Sequence, residues 1–169
     1  QLMEKYPNFI GGFVWEWADH AVDINRGTND TPAYRYGGDF GEFPHFGNFC
    51  MDGLVYPDRT PHTGAYEHRQ VFRPLKLESY DLTNNTFLFK NQLDFSPIHE
   101  KIDIIIEVYD LKGILVKKTL MDTPSISPRK SKEIVINHFN NKWNTISSLR
   151  FVYYMKDLDI ELGFDTVEV

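Results

Sequence analysis

The second half of the chain alternates between apolar and other side chains with a period of two, and this pattern constrains the fold more than any other feature. Every even-numbered position from 102 to 108 is Ile or Val, and every odd-numbered position from 149 to 155 is Leu, Phe, Tyr or Met. Successive side chains of a β-strand point to opposite faces, so the alternation predicts strands with one buried face. No helix of three turns is predicted in this half.

Turn sequences divide this region into seven predicted strands. TNN at 83–85, LKG at 111–113 and TPSISPRKS at 123–131 are typical turn and loop sequences. The predicted strands are 76–82, 86–92, 102–110, 114–121, 132–138, 149–157 and 163–169. Seven short strands within about a hundred residues are typical of an immunoglobulin-like antiparallel β-sandwich. We therefore predict a mostly β fold with a sandwich domain at 70–169.

The first 70 residues have a different composition. They hold 13 of the 25 aromatic residues and 9 of the 11 glycines, with ten acidic and five basic side chains. A helix is predicted to end near Leu2–Tyr6, and Phe9–Trp17 is predicted as a buried strand, an order typical of parallel sheets. Residues 18–62 are predicted as a loop, and loops of this length in compact domains are usually functional. His62, before a predicted strand start, is expected to mark a domain junction.

Composition limits the classes of partner. The net charge of −6 argues against nucleic acid, which usually requires a basic surface. No apolar run reaches the roughly 20 residues of a membrane span, so no membrane partner is expected. The single cysteine, Cys50, excludes an internal disulfide and fits a reducing compartment, so we expect a cytoplasmic protein. The start at Gln1, without Met or a signal-like segment, is expected to be internal to a longer chain.

The segment GGFVWEWADH, residues 11–20, carries the first candidate residues. Trp15 and Trp17 have two interpretations: both belong to a core, or the one nearer the strand end is an apolar platform for a sugar ring. Glu16 and Asp19 could be the acid/base pair of a glycosidase, which needs two carboxyls about 5–5.5 Å apart in a retaining enzyme. Their spacing in sequence does not impose that geometry, so salt bridges or loop caps are the favoured roles.

The segment GNFCMDGLVYPDRTPH, residues 47–62, carries the second set. The main-chain carbonyl of Phe49 and the carboxylate of Asp52 are oxygen donors of the kind that hard cations take. The alternative is an ordered loop closed by a local Asx turn. Arg59 and His62 are expected to hydrogen-bond this loop or to reach a ligand.

These motifs resemble a known enzyme family. GGFVWEWADH, YRYGGDFGEF, FGNFCMDGLVYPDRTPH and YEHRQVFRPLKLE occur in the order found in the large β-galactosidases of glycoside hydrolase family 2 and cover residues 10–78 almost continuously. Residues 79–169 look like the β-sandwich domain that follows the barrel in those enzymes. The resemblance implies that residues 1–65 are the last strand and long loop of a (β/α)₈ TIM barrel, and that 70–169 form the immunoglobulin-like domain.

The resemblance also implies a function and a set of site residues. The family hydrolyses terminal β-galactosides of the lactose type with retention, using two glutamates, Mg²⁺ and Na⁺. Trp15 would contact galactose, the Phe49 carbonyl would bind Na⁺ while its ring meets a mobile loop, and Asp52 would lie near the sugar and Na⁺. Asp52 stands where the best-known bacterial pattern has Asn in CMNG, so it adds a charge and loses an amide donor.

The resemblance further implies that the catalytic residues are not in this chain. Both catalytic glutamates and the magnesium ligands belong upstream of Gln1 in the family, so we expect no catalytic residue here and no β-galactosidase activity of the chain alone. Na⁺ binding by the chain alone is expected to be weak or absent. The apolar surface of residues 1–70 predicts association with the remainder of the parent chain or homo-oligomers. The alternative is a non-catalytic β-sandwich module that binds carbohydrate or makes subunit contacts.

Overall fold

The computed structural model describes residues 2–137 and 143–169. The chain is mostly β with few helices, as predicted. It divides into two compact units, Gln1–His68 and Arg69–Val169. No helix among the described residues is both long enough and apolar enough to cross a membrane.

The first unit contains little regular structure. A short helix, α1 (Leu2–Lys5), is followed by the two-residue strands β1 (Val22–Asp23) and β2 (Tyr34–Arg35), which pair antiparallel. A 3₁₀ turn follows at Gly47–Cys50, and the helix α2 (Thr63–Val71) contains the sequence boundary between the units. The predicted helix end and the long loop are therefore confirmed. The Trp15–Glu16 and Phe43–Pro44 peptide bonds are cis.

The prediction of a buried strand at Phe9–Trp17 is wrong. The segment forms no strand, and Ile10 and Phe13 are fully exposed. A buried strand of a parallel sheet pairs its N–H and C=O groups with neighbouring strands. Among the described residues, a neighbouring segment bonds to this one only at its end, at Glu16 and Trp17, and a single parallel bridge, Ala18 to Val55, forms just after it.

The strand start expected after His62 is also wrong, because α2 begins there. Its sequence TGAYEHRQV contains Ala65, Glu67 and Gln70, which favour helix, and it lacks the period of two. The helix ends before Pro74, and the residue preceding a proline is disfavoured in helical conformation.

The second unit is an antiparallel β-sandwich, with seven strands among its described residues, 69–137 and 143–169. They are β3 (Leu75–Asp81), β4 (Thr86–Asn91), β5 (Ile102–Asp110), β6 (Leu115–Met121), β7 (Ser131–Val135), β8 (Ile146–Met155) and β9 (Glu161–Glu168). One sheet has the order β3-β4-β7 and the other β6-β5-β8-β9. Each predicted strand is present with small shifts at its ends; residue 138, in the fifth predicted strand, lies outside the described residues.

The core of the second unit lies between these two sheets. Phe151 of β8 packs edge-to-face on Phe87 and Phe89 of β4, with ring centroids 5.3 and 5.2 Å apart. All three rings are fully buried, and burial of a phenylalanine side chain stabilises the fold by about 1.5–3 kcal/mol. The alternating positions 102–108 and 149–153 are buried, which confirms the face assigned by the period of two.

Candidate functional site

Two segments of the first unit, residues 15–20 and 50–55, lie side by side, and we call them the paired loops. Backbone hydrogen bonds join them along their length. They run from Glu16 N–H to Asp52 C=O (3.3 Å), from Leu54 N–H to Glu16 C=O (2.9 Å), from Val55 N–H to Trp17 C=O (3.0 Å), from Asp19 N–H to Val55 C=O (3.0 Å) and from His20 N–H to Cys50 C=O (2.9 Å). The paired loops are therefore ordered by main-chain contacts.

Gly53 permits this close approach. A Cβ atom at this position would lie 2.3 Å from the backbone carbon of Ala18 and 2.3 Å from the nitrogen of Asp19. No side-chain movement could relieve these contacts, because both involve main-chain atoms. Only glycine therefore fits the paired loops at this point.

Asp19 links the paired loops through its side chain. The residue is buried, and its Oδ1 accepts a hydrogen bond from the N–H of Gly53 at 2.8 Å. Its Oδ2 lies 2.8 Å from Nε2 of His62, which donates because a carboxylate only accepts. The His62 ring stacks on Tyr56 with centroids 3.7 Å apart. Both oxygens of this carboxylate are therefore engaged inside the protein.

The loop-cap role is confirmed for Asp19, and both Glu16 and Asp19 contact a histidine at salt-bridge distance. Glu16 Oε2 lies 3.1 Å from His20 Nε2, and Asp19 caps the Gly53 amide and pairs with His62. Each carboxylate has its own histidine partner, and neither is shared with the other. These contacts give each carboxylate a local structural role.

The interpretation of both tryptophans as core residues is wrong. Trp15 is 79% exposed and Trp17 is 67% exposed. Glu16 between them is largely buried, with its side chain 19% exposed. The exposed indole of Trp15 can offer an apolar face to a ligand, although its role in sugar binding stays a prediction.

Trp15 and Asp52 are brought close together in the chain's fold. The N–H of Glu16, the residue after Trp15, donates to the carbonyl of Asp52. The Asp52 side chain is exposed, and its carboxylate accepts no hydrogen bond from the described residues. An apolar ring and a free carboxylate on adjoining backbone can together contact a polyhydroxylated ring. The role of Asp52 in substrate binding also stays a prediction.

Phe49 and Asp52 each carry an oxygen atom of the kind that hard cations take. Phe49 lies in the 3₁₀ turn Gly47–Cys50, and no described N–H group donates to its carbonyl. Together with the Asp52 carboxylate this makes two free oxygen donors, where Ca²⁺-like ions take six or more. No group of three or more His, Cys, Asp or Glu residues able to hold a metal occurs among the described residues. The pair could therefore complete a cation site only with oxygens from elsewhere.

Other acidic residues of the first unit close loops. Hydrogen bonds from the N–H groups of Gly38 and Phe40 lower the pKa of Glu42, in the YGGDFGEF motif. Hydrogen bonds from the hydroxyl and N–H of Thr60 lower the pKa of Asp58. Arg59 hydrogen-bonds the loop, as expected, through its backbone N–H to Tyr56. These carboxylates stabilise loop conformations.

The pairing of Asp19 with His62 could not be found from the sequence. The partners are 43 positions apart, at no spacing that marks a motif. Gly53 between two apolar segments was the one local signal, because glycine permits close backbone contact. That signal does not identify which carboxylate meets the Gly53 amide.

Comparisons with known proteins agree with the resemblance of the motifs. Residues 1–77 match the family model described as glycosyl hydrolases family 2, TIM barrel domain. The chain is 42% identical over 174 aligned residues to a β-galactosidase of Staphylococcus xylosus, covering 98% of this chain and 17% of that protein. It is 46% identical to a β-galactosidase of Actinobacillus pleuropneumoniae, over 62% of this chain and 10% of that protein.

A third relative, a β-galactosidase of Arthrobacter sp. (strain B7), is 47% identical over 45% of this chain and 7% of its own length. The chain thus spans a fifth or less of the length of the curated relatives it matches. Its similarity to the first of them extends over both structural units. The chain belongs to glycosyl hydrolase family 2.

Proposed function

We propose that this chain is part of a β-galactosidase that hydrolyses terminal β-galactosides of the lactose type with retention of configuration. The similarity of nearly the whole chain to proteins named β-galactosidase carries the proposal. The proximity of Trp15 and Asp52 supports it, because these are the two residues to which the motifs assign sugar contacts.

In this function the chain binds and orients the sugar. The exposed Trp15 ring packs against the C–H face of galactose, and the Asp52 carboxylate accepts a hydrogen bond from a hydroxyl group. Glu16 and Asp19 are assigned structural roles, because Glu16 contacts His20 and Asp19 contacts His62 and the Gly53 amide. The two glutamates that a retaining mechanism requires come from the rest of the enzyme.

The proposed cofactors are Na⁺ and Mg²⁺. The Phe49 carbonyl and the Asp52 carboxylate would hold Na⁺ together with oxygens from the rest of the enzyme, which would also supply the Mg²⁺ ligands. Bound near the sugar, these cations would supply positive charge that attracts hydroxyl oxygens. Two donors are too few for tight binding, so Na⁺ affinity of the chain alone is weak or absent.

The proposed macromolecular partner is the remainder of the parent chain. Apolar side chains of the first unit that are at least three-quarters exposed are Ile10, Phe13, Trp15, Phe43, Phe46 and Phe49. Water contact of so many large apolar groups is unfavourable, so in the working enzyme another surface covers those that do not contact the sugar. A homo-oligomer of this chain would bury the same groups.

Two further proposals concern location and fold. The free Cys50 supports a reducing, cytoplasmic location. The three- and four-stranded sheets support an immunoglobulin-like sandwich.

A hybrid enzyme tests the proposal. This chain replaces its matching segment in the Staphylococcus xylosus β-galactosidase, and the hybrid is assayed with a chromogenic β-galactoside and with the matching β-glucoside. We expect the hybrid to hydrolyse the galactoside and the chain alone to hydrolyse neither. Activity of the chain alone would mean that its own carboxylates catalyse hydrolysis. A folded hybrid without activity would contradict the proposal.

Tryptophan variants of the hybrid test the sugar platform. We expect Trp15→Ala to lower kcat/KM for the galactoside at least about tenfold, equal to a loss of about 1.4 kcal/mol of transition-state stabilisation. Trp17→Ala is the matched control, since it removes an exposed indole two positions away and should leave kcat/KM nearly unchanged. Equal losses in the two variants would refute the role of Trp15.

The exposed aromatic residues also favour a second candidate, a module that binds carbohydrate without hydrolysing it. This candidate predicts that the chain alone binds galactose or lactose, with heat measurable by titration calorimetry. The β-galactosidase proposal predicts little or no heat, because the chain supplies only part of the site. If the chain only makes subunit contacts, the chain alone should not bind sugar and the hybrid should not hydrolyse the galactoside.

A further inference from the structure

We propose that Asp19 and His62 are positioning residues that orient Asp52 for substrate binding, an inference that rests on the proposed function. Neither residue is assigned a contact with the sugar. They act through the peptide group between Asp52 and Gly53, which both paired loops hold in place.

Both polar atoms of this peptide group are engaged. Its carbonyl, on Asp52, accepts a hydrogen bond from Glu16 N–H, and its N–H, on Gly53, donates to Asp19 Oδ1 at 2.8 Å. Because a peptide group is planar, holding its two ends fixes the plane and with it the direction of the chain at the Asp52 Cα. The Asp52 side chain leaves from that atom.

The contact with Asp19 is the stronger of the two. Its distance is 2.8 Å, whereas the Glu16 contact is 3.3 Å, and a hydrogen bond to a carboxylate is stronger than one between neutral groups. Asp19 is buried, so the carboxylate cannot easily exchange the Gly53 amide for water. We therefore expect Asp19 to contribute most of the restraint on this peptide group.

His62 fixes the Asp19 carboxylate in turn. Its Nε2 donates to Oδ2, the oxygen that Gly53 does not use. The backbone N–H of His62 bonds to Leu54 C=O, and its ring stacks on Tyr56. The imidazole is thus anchored by its backbone, its ring face and its nitrogen, and it holds the carboxylate toward Gly53.

An exposed carboxylate needs this restraint from its backbone. The described residues give the Asp52 side chain no hydrogen bond of its own, so its position depends on the Cα from which it projects. Loosening the Asp52–Gly53 peptide group would spread the carboxylate over several positions. Substrate binding would weaken, while chemistry carried by other residues would change little.

A double-mutant cycle in the hybrid enzyme tests the inference. We measure kcat and KM for the chromogenic β-galactoside in Asp19→Asn, in Asp52→Ala and in the combined variant. Asparagine can still accept from Gly53 but lacks the charge and presents an amide to His62. We expect Asp19→Asn to raise KM about tenfold with kcat within about twofold, and to have almost no further effect when Asp52 is already alanine.

Substitutions at His62 provide a rescue test that does not depend on Asp19. His62→Phe keeps a ring to stack on Tyr56 but cannot donate to Asp19, so KM should rise. His62→Gln can still donate, so KM should stay within about twofold of the unmodified hybrid. The control is Asp165→Asn in the second unit, which should lower the unfolding temperature without changing KM.

The outcomes separate this inference from the proposed function. Two results in an active hybrid would overturn the positioning role. One is that the KM increases of Asp19→Asn and Asp52→Ala multiply in the combined variant. The other is that KM rises in His62→Gln as it does in His62→Phe. An inactive unmodified hybrid would instead overturn the proposed function and the inference with it. If Asp19→Asn does not fold, the same cycle with His62→Phe and Asp52→Ala decides the question.

Discussion

At Gly53 the space for a side chain is missing, and this single position controls whether the paired loops can meet. A Cβ atom there would lie 2.3 Å from main-chain atoms of Ala18 and Asp19. Real carbon atoms do not approach so closely without displacing the backbone. The hydrogen bond from Gly53 N–H to Asp19 depends on the same approach.

We expect Gly53→Ala to lower the free energy of unfolding of the first unit by about 1–3 kcal/mol, because the added methyl group overfills a packed contact. Urea denaturation followed by tryptophan fluorescence measures it, since Trp15 and Trp17 both lie in this unit. The control is Gly64→Ala in α2, where an added Cβ meets nothing within 4 Å. That substitution should leave stability unchanged or raise it by up to about 1 kcal/mol. Equal destabilisation by both changes would contradict the steric argument.

Residues of the candidate site differ in how far the sequence could predict them. Trp15, Phe49 and Asp52 were found because each lies in a short motif that resembles a family pattern. The partnership of Asp19 and His62 was not, because it depends on how two distant loops meet. A sequence motif records which residues are near one another along the chain, and this contact is near only in space.

Among the elements, the strands β3, β8 and β9 are joined to Arg73, which follows α2, by one largely buried network. Asp165 of β9 accepts two hydrogen bonds from the Arg73 guanidinium, at 2.7 and 3.1 Å. It also accepts from the hydroxyl of Tyr153 in β8 and from the N–H of Leu77 in β3. One carboxylate therefore connects three strands across both sheets of the sandwich.

We expect Asp165→Asn to lower the free energy of unfolding of the second unit by about 3 kcal/mol. The Asp165 and Arg73 side chains are only 13% and 15% exposed, so the substitution leaves a largely buried cation without its counter-charge. Chemical denaturation followed by far-ultraviolet circular dichroism reports the loss. Asp94→Asn is the matched control, since its ion pair with Arg129 is about half exposed and should contribute nothing measurable. A similar loss in both variants would argue against burial as the cause.

The phenol of Tyr153 in β8, which donates to Asp165 of β9, predicts that the stability of the second unit falls at alkaline pH. Burial, aided by the Asp165 carboxylate, raises the pKa of Tyr153 well above its ordinary value. The folded state keeps this phenol neutral, whereas the unfolded chain ionises it near pH 10. The resulting stability is complete below about pH 10 and is lost as pH rises further.

Unfolding measured between about pH 8 and pH 11 checks this expectation. The unmodified chain should lose stability more steeply above about pH 10 than Tyr153→Phe, which has no phenol to ionise. At neutral pH the unmodified chain should be the more stable of the two proteins, because phenylalanine cannot donate a hydrogen bond to Asp165. Parallel pH curves for the two proteins would show that Tyr153 does not contribute to the alkaline loss.

Prediction of the elements succeeded where the pattern was local. The seven strands of the second unit follow from side chains that alternate within each strand. The strand expected at Phe9–Trp17 is absent, because an apolar run becomes a strand only where neighbouring strands pair with it. The helix α2 was missed because its sequence has no strong apolar face, and its propensity is a weak signal alone.

For the whole molecule, the exposed aromatic residues of the first unit predict self-association of the chain when it is prepared alone. Phe13 is fully exposed, and Phe46 is 86% exposed. We expect Phe13→Asp and Phe46→Asp together to shift the chain toward monomers in sedimentation velocity, because they replace apolar surface with charge. Phe95→Asp changes an equally exposed phenylalanine of the second unit and should have little effect. An unmodified chain that is monomeric at high concentration would contradict this prediction.

The sequence by itself determined the sandwich, its seven strands and the family, because alternation and short motifs are properties of neighbouring residues. Only the tertiary structure decided that the carboxylate of Asp19 meets the amide of Gly53 and the imidazole of His62, and that Trp15 is exposed. A hydrogen bond between distant residues depends on the whole path of the chain, and burial depends on what packs against a surface. Neither this hydrogen bonding nor the burial of a side chain can be predicted from the order of a few adjacent residues.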